Sequence, residues 1–151
     1  MKRVPILAAM LALCAWSGVQ AGNTSKPVDF EAAVALADGA MSAGKHGLAI
    51  QHYRQALTVR PRHAETRFSL GRAYQEAERY YEARRNYRLA MIARSGNRLW
   101  EGQCRLQVAA CWESSKHYRE AVHEYRLALA AHPELAEAQA GHKRSLAQVE
   151  D

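Results

Sequence analysis

Between residues 29 and 149, small and apolar residues return every three or four positions, and short polar breaks separate the blocks. That spacing marks one face of a 3.6-residue helix. It predicts seven helices, at about 29–42, 46–59, 63–76, 80–93, 101–114, 118–131 and 134–149. Pro61 and Pro133 stop helices because they lack the N–H needed to continue, and Gly44 and Gly96 fall in predicted turns. The last helix carries Glu134, Glu137, Gln139, His142, Lys143, Arg144, Gln148 and Glu150 around a thin apolar stripe of Leu135, Ala138 and Leu146. Its polarity suits an end-cap.

The pattern repeats. Ala49, Ala83 and Ala121 correspond, as do Tyr53, Tyr87 and Tyr125, and Ala56, Ala90 and Ala128; the first step is 34 residues and the second 38. In each second helix Ala, Tyr and Ala share one face, small residues letting backbones approach while Tyr fills the space beside them. These stripes read as core, with the tyrosine hydroxyls expected near solvent. The second unit is the most regular: Pro61-Arg62-His63-Ala64-Glu65 leads to Leu70-Gly71-Arg72-Ala73-Tyr74 and then to Ala83, Tyr87 and Ala90. The chain resembles the tetratricopeptide repeat family, whose unit is a 34-residue helix-turn-helix. The resemblance implies an all-α fold, a right-handed α-solenoid of three helix-turn-helix units at about 30–63, 64–97 and 102–135 with a C-terminal capping helix at 136–150. Ser95 stands where the family's Pro is expected, and four extra residues lie between Ala93 and Gly102. Insertions in repeat proteins map to loops or helix extensions, often on a binding face. Trp100, inside this insertion, is therefore a candidate partner contact, with simple packing over the loop as the alternative.

The N-terminus changes the meaning of the charge. The chain has 21 Lys plus Arg against 15 Asp plus Glu, a net +6 that by itself suggests phosphate-rich partners. It opens Met1-Lys2-Arg3, continues through an apolar run from Val4 to Trp16, and reaches Val19-Gln20-Ala21, the layout of a secretory signal peptide over 1–21. The run is shorter than the roughly 20 residues that span a bilayer. Cutting after Ala21 leaves 130 residues with 19 basic and 15 acidic groups. Residues 22–28 read as a flexible leader. The expected location is the periplasm, with lipid anchoring through Cys14 as the lesser alternative because Leu13 is bulky for such a signal.

No catalytic pattern emerges. His46 and His52 are six apart, as are His117 and His123, so each pair points to different sides of a helix. There is no His-Glu-x-x-His, Cys-x-x-Cys, Gly-x-Ser-x-Gly or phosphate-cradling Gly-rich loop. A non-catalytic chain with no metal and no cofactor is expected. Cys104 and Cys111 lie about 10 Å apart along one helix, beyond disulfide reach. They read as buried apolar groups, the alternative being an exposed thiol that pairs with another chain. Arg79, Arg84, Arg85, Arg88, Arg94 and Arg98 cluster on one outer helix and the loop after it, diluted by Glu76, Glu78 and Glu82, and read as a solvated face.

What the resemblance implies about function is a concave groove formed by the first helices, binding a peptide or helix of another protein. Carried over position by position, the groove comprises Val34, Asp38 and Met41; then Glu65, Phe68, Arg72, Gln75 and Glu76; then Gln103, Leu106, Ala110 and Glu113. Val34, Met41, Phe68 and Leu106 form an apolar strip with Arg72 as a central donor for a carboxylate. Some family members hold a C-terminal carboxylate through Lys, Arg and Asn; here Val34 and Asp38 leave that clamp incomplete. The expected role is an exported interaction scaffold in envelope, pilus or secretion-system assembly, with a protein or peptide partner and no nucleic acid. A self-associating structural subunit is the alternative, and a small enzyme comes last. Peripheral membrane contact and a homo-oligomer stay open.

Overall fold

The computed structural model describes residues 28–150. The expected signal peptide over 1–21, Cys14 and all of the expected leader except Val28 lie outside the described residues. Val28 itself packs against Phe30, Ala33 and Ala56, so the leader's last residue belongs to the folded body. The described residues form seven helices: α1 (Phe30–Ser42), α2 (His46–Val59), α3 (Ala64–Glu76), α4 (Tyr80–Ala93), α5 (Arg98–Ser114), α6 (Tyr118–Ala131) and α7 (Ala136–Glu150). None is long and apolar enough to cross a membrane.

Two kinds of helix start alternate. The first helix of each unit has a side-chain cap: Asp29 accepts from the Glu31 N–H, His63 from Thr66 and Asn97 from Trp100. Each cap satisfies a backbone donor that the helix leaves without a partner. The second helices have no such cap. They follow tight turns in which the N–H of Lys45, Arg79 or His117 reaches back to the carbonyl of Ala40, Tyr74 or Trp112, at 2.8–2.9 Å. This is the Schellman arrangement, which needs one residue in the left-handed region. Gly44 fills that place in the first unit at φ 68°, but Glu78 and Lys116 fill it in the second and third, at 57° and 61°.

Each helix packs on its sequence neighbours, and α7 also reaches back to α5. The core is therefore a stack of local interfaces rather than a single centre. The alanines at the repeated positions, Ala49, Ala83, Ala121, Ala56, Ala90 and Ala128, are fully buried where helices approach. Gly71 carries the principle furthest, since a Cβ there would stand 2.8 Å from the Tyr87 ring. The four extra residues of the third unit do not form a loop. They add one turn to the start of α5, which has 17 residues against 13 in α1 and α3, and α4 and α5 are joined by residues 94–97 alone.

Candidate binding groove

The inner face is built from α1, α3, α5 and the start of α7, and the repeated tyrosines brace it from behind. The sequence expectation leaves their hydroxyls near solvent, but the side chains are almost fully buried: Tyr53, Tyr87 and Tyr125 are at most 2% exposed. A buried hydroxyl must find an acceptor, and each finds one on an inner-face residue. Tyr53 donates to Asp38, Tyr87 to Gln75 Oε1 at 2.9 Å and Tyr125 to Glu113 Oε2 at 2.6 Å. Burial pushes all three phenols up, and for Tyr53 the adjacent Asp38 carboxylate helps bring the value to about 12. Asp38, Gln75 and Glu113 are thus partly committed to the scaffold. Glu113 is also gripped by Arg144 of α7; burial raises its carboxyl, but the bonds from Arg144 and Tyr125 outweigh that and hold it below the usual range.

Two hollows lie on this face. Asp38, Met41, Ser42, Tyr53, Ser69 and Arg72 line one of about 280 Å³. Arg72 is exposed and forms no ion pair among the described residues. It is a cation held between two tyrosine-bearing rungs with its donors available. The other hollow, of about 490 Å³, is bounded by Phe68, Gln103, Leu106 and Gln107 and by Glu134 to Glu137 at the start of the cap. Phe68 and Arg72 are four apart on α3 and so face the same way, one towards each hollow.

The predicted groove residues separate accordingly. Asp38, Met41 and Arg72 come together, as do Phe68, Gln103 and Leu106. The continuous apolar strip does not form. Val34 packs against the Phe30 cluster, and Leu106, 7% exposed, belongs to the core of the third unit. Glu65 is paired with Arg94 at 2.9 Å, while Glu76 and Ala110 line neither hollow. Trp100 is in the first turn of α5 and not in a loop. Its indole N–H donates to the Ala90 carbonyl at 3.0 Å, and its ring stands 5.2 Å from that of Phe68, which in turn meets Tyr87 edge-on at 5.1 Å. Trp100 therefore walls the groove by way of Phe68.

Sequence reasoning missed the cap's share: Leu135, Glu134 and Glu137 complete the larger hollow, and Arg144 fixes Glu113. The polarity and thin apolar stripe of the last helix pointed to an end-cap, not to a wall of the groove. It also missed Glu124, which is buried and takes ion pairs from Arg88 at 3.0 Å and Arg105 at 3.3 Å, tying α4, α5 and α6 together. A carboxylate directly before the core Tyr125 is the signal that marks it. The arginine cluster is exposed, as expected, apart from half-buried Arg84, and several members are also paired: Arg79 meets Glu82, Arg94 meets Glu65 and Arg98 donates to the Ala130 carbonyl at 2.6 Å. Cys104 and Cys111 are both free and buried, as the reading of buried apolar groups expects, and burial pushes each thiol up to about 12. Among the described residues, no three His, Cys, Asp or Glu groups gather as metal ligands.

No family model matches the chain, and no curated protein matches it in sequence. Its fold is nevertheless that of solved tetratricopeptide-repeat domains. The Arabidopsis OM64 TPR domain is 21% identical with a TM-score of 0.68, over 77% of this chain and 93% of that one. The first TPR of Spaghetti (RPAP3), bound to the HSP90 peptide SRMEEVD, is 19% identical with a TM-score of 0.69, over 83% and 99%. The Yersinia enterocolitica type III secretion chaperone SycD, in complex with a peptide of the translocator YopD, is 18% identical with a TM-score of 0.63, over 80% and 88%. At these identities the likeness establishes the fold, an all-α solenoid of helical pairs.

Proposed function

We propose that this chain is a non-catalytic interaction scaffold whose inner face receives a peptide or helix of a partner protein. The observation that carries the reading is the pair of hollows on one face of α3: Arg72, without an ion pair, lines one, and Phe68 with Leu135 lines the other. A segment with a carboxylate at Arg72 and an apolar side chain against Phe68 and Leu135 satisfies both. Glu134 and Glu137 at the far rim favour a basic residue beyond it. Two of the similar folds, those of Spaghetti and SycD, hold partner peptides, which supports the reading. The signal-like segment over 1–21 adds export to the periplasm, with envelope, pilus or secretion-system assembly as the setting.

The test is capture of partners from an envelope extract with the purified protein, alongside Arg72→Glu. Phe68 is a poor choice for substitution because it supports Tyr87 and Trp100. Loss of a specific partner with Arg72→Glu, at unchanged helical circular dichroism, supports the groove; unchanged capture overturns it. Mass analysis of the protein from fractionated cells tests export, with Gly22 expected as the first residue.

A further inference from the structure

The outer face where α4 meets the end of α5 carries charge that the fold leaves unneutralised. Arg79, Arg88 and Arg94 each pair with a carboxylate, whereas among the described residues none pairs with Arg84 or Arg85. Arg84 instead sets its guanidinium carbon 3.5 Å from the centre of the Trp112 ring. That contact uses the positive charge but leaves the N–H donors unspent.

These groups enclose a hollow of about 370 Å³, in which half-buried Trp112 and Leu89 form the floor and Tyr81, Arg84, Arg85 and Arg88 the rim. Arg85 also borders a neighbouring hollow with Arg54 and Arg67, and Arg88 borders another with Arg119. A basic stripe thus runs across the outer surface from α2 to α4, and at its α6 end Glu120 and Glu124 balance Arg88 and Arg119. Burial and the nearby charge of Arg85 depress the Arg67 guanidinium, and burial depresses Arg84, with Arg88 adding to it. Like charges held this close repel, and an anion between them relieves the repulsion.

We propose that this face is a second binding surface, distinct from the concave groove, and that its occupant is an acidic peptide segment carrying one large apolar side chain. Carboxylates accept from Arg84 and Arg85, and the apolar group rests on Leu89 and the edge of the Trp112 ring beside the Arg84 stack. Arginine and tryptophan are enriched among the anchors of such contacts. The floor is recessed, which fits a projecting side chain better than the surface of a bilayer. The chain's own first 27 residues contain no Asp or Glu, so they do not supply the acidic segment.

The test is fluorescence anisotropy of the purified protein with a labelled nonapeptide of four Glu, one Phe and four Glu. Binding is expected to weaken with added salt, and to weaken about tenfold in Arg84→Gln/Arg85→Gln and about as much when the central Phe becomes Ser. Arg85→Gln alone leaves the Trp112 stack in place and is expected to lose part of the affinity at unchanged circular dichroism. Arg72→Glu removes any capture of the same peptide by the groove and is expected to leave a component of binding that Arg84→Gln/Arg85→Gln abolishes. The proposal is overturned if the wild-type protein fails to bind, or if Arg72→Glu removes binding. It is equally overturned if duplex DNA or phosphatidylglycerol vesicles bind as well as the peptide.

Discussion

Arg144 on the cap donates to both oxygens of Glu113 on α5, at 3.0 and 3.1 Å, while Tyr125 on α6 donates to the same carboxylate. One side chain therefore joins three helices at the end of the solenoid. Arg144 is largely exposed, so its loss in Arg144→Ala costs about 0.5–1 kcal/mol. Glu113→Ala also strands the buried Tyr125 hydroxyl, raising the loss to about 2 kcal/mol. Urea denaturation of both variants checks the ranking; equal losses would show that the ion pair, not the hydroxyl, sets the stability.

Acid acts on the same carboxylate. The folded state holds Glu113 below the ordinary glutamate value of about 4.3, so its contribution is complete above that value and is lost as the pH falls through the lowered one. Wild-type stability is expected to decline over that acid window, with a smaller decline in Arg144→Ala. Parallel profiles would remove Glu113 as the cause.

At the alkaline end the signs reverse. Cys104 and Cys111 are raised from 9.0 to about 12, and Tyr53 from 10.0 to about 12. Their stabilisation is complete below the unfolded values and is lost as the pH rises towards 12. Neither thiol is expected to react with a thiol reagent in the native state at pH 8, and both are expected to react in urea. A native thiol reacting at the rate of a free one would contradict the packing of α5.

Glycine replacements should divide by what the new methyl meets. A Cβ at Gly71 strikes the Tyr87 ring and one at Gly141 strikes Tyr125, whereas at Gly39, within α1, nothing lies within 4 Å. Gly71→Ala and Gly141→Ala are expected to lose about 1–3 kcal/mol by overpacking. Gly39→Ala is expected to gain about 0.5–1 kcal/mol from helix propensity. Thermal melts of the three variants check the opposite signs.

The turns allow a stabilising change. Glu78 and Lys116 occupy the left-handed position that Gly44 fills without strain. Glu78→Gly and Lys116→Gly are each expected to add about 0.5–1 kcal/mol, and Gly44→Ala to remove about as much. Melting temperatures that fall in both glycine variants would contradict this account.

The helices were legible because period and punctuation agree: alanines at the crossings, prolines and glycines at the breaks, and a tyrosine at the same place in every second helix. The tyrosine hydroxyls were not, because an acceptor such as Gln75, twelve residues before Tyr87, is visible only once two helices are folded together. The groove positions follow from repeat phase, but phase does not tell which of them the neighbours consume. Leu106 sinks into the core and Glu65 pairs with Arg94 for reasons that lie on other helices. Leu135 and Arg144 were hidden for a further reason: an end helix has no following unit with which to compare it.

The added turn of α5 shows what changes of length this architecture absorbs. A helix returns to its starting phase every 3.6 residues, so four inserted residues leave its faces about 40° from their former bearing, while two would turn the inward face to water. The insertion thus raises the upper end of α5 by about 6 Å without rotating Cys104, Val108 and Cys111 out of the interior. Its start is moored twice, by the Asn97 cap and by Arg98 on the Ala130 carbonyl. Growth of such a rod is quantised in whole turns, and each quantum sets one new side chain, here Trp100, above the rim of the unit before it.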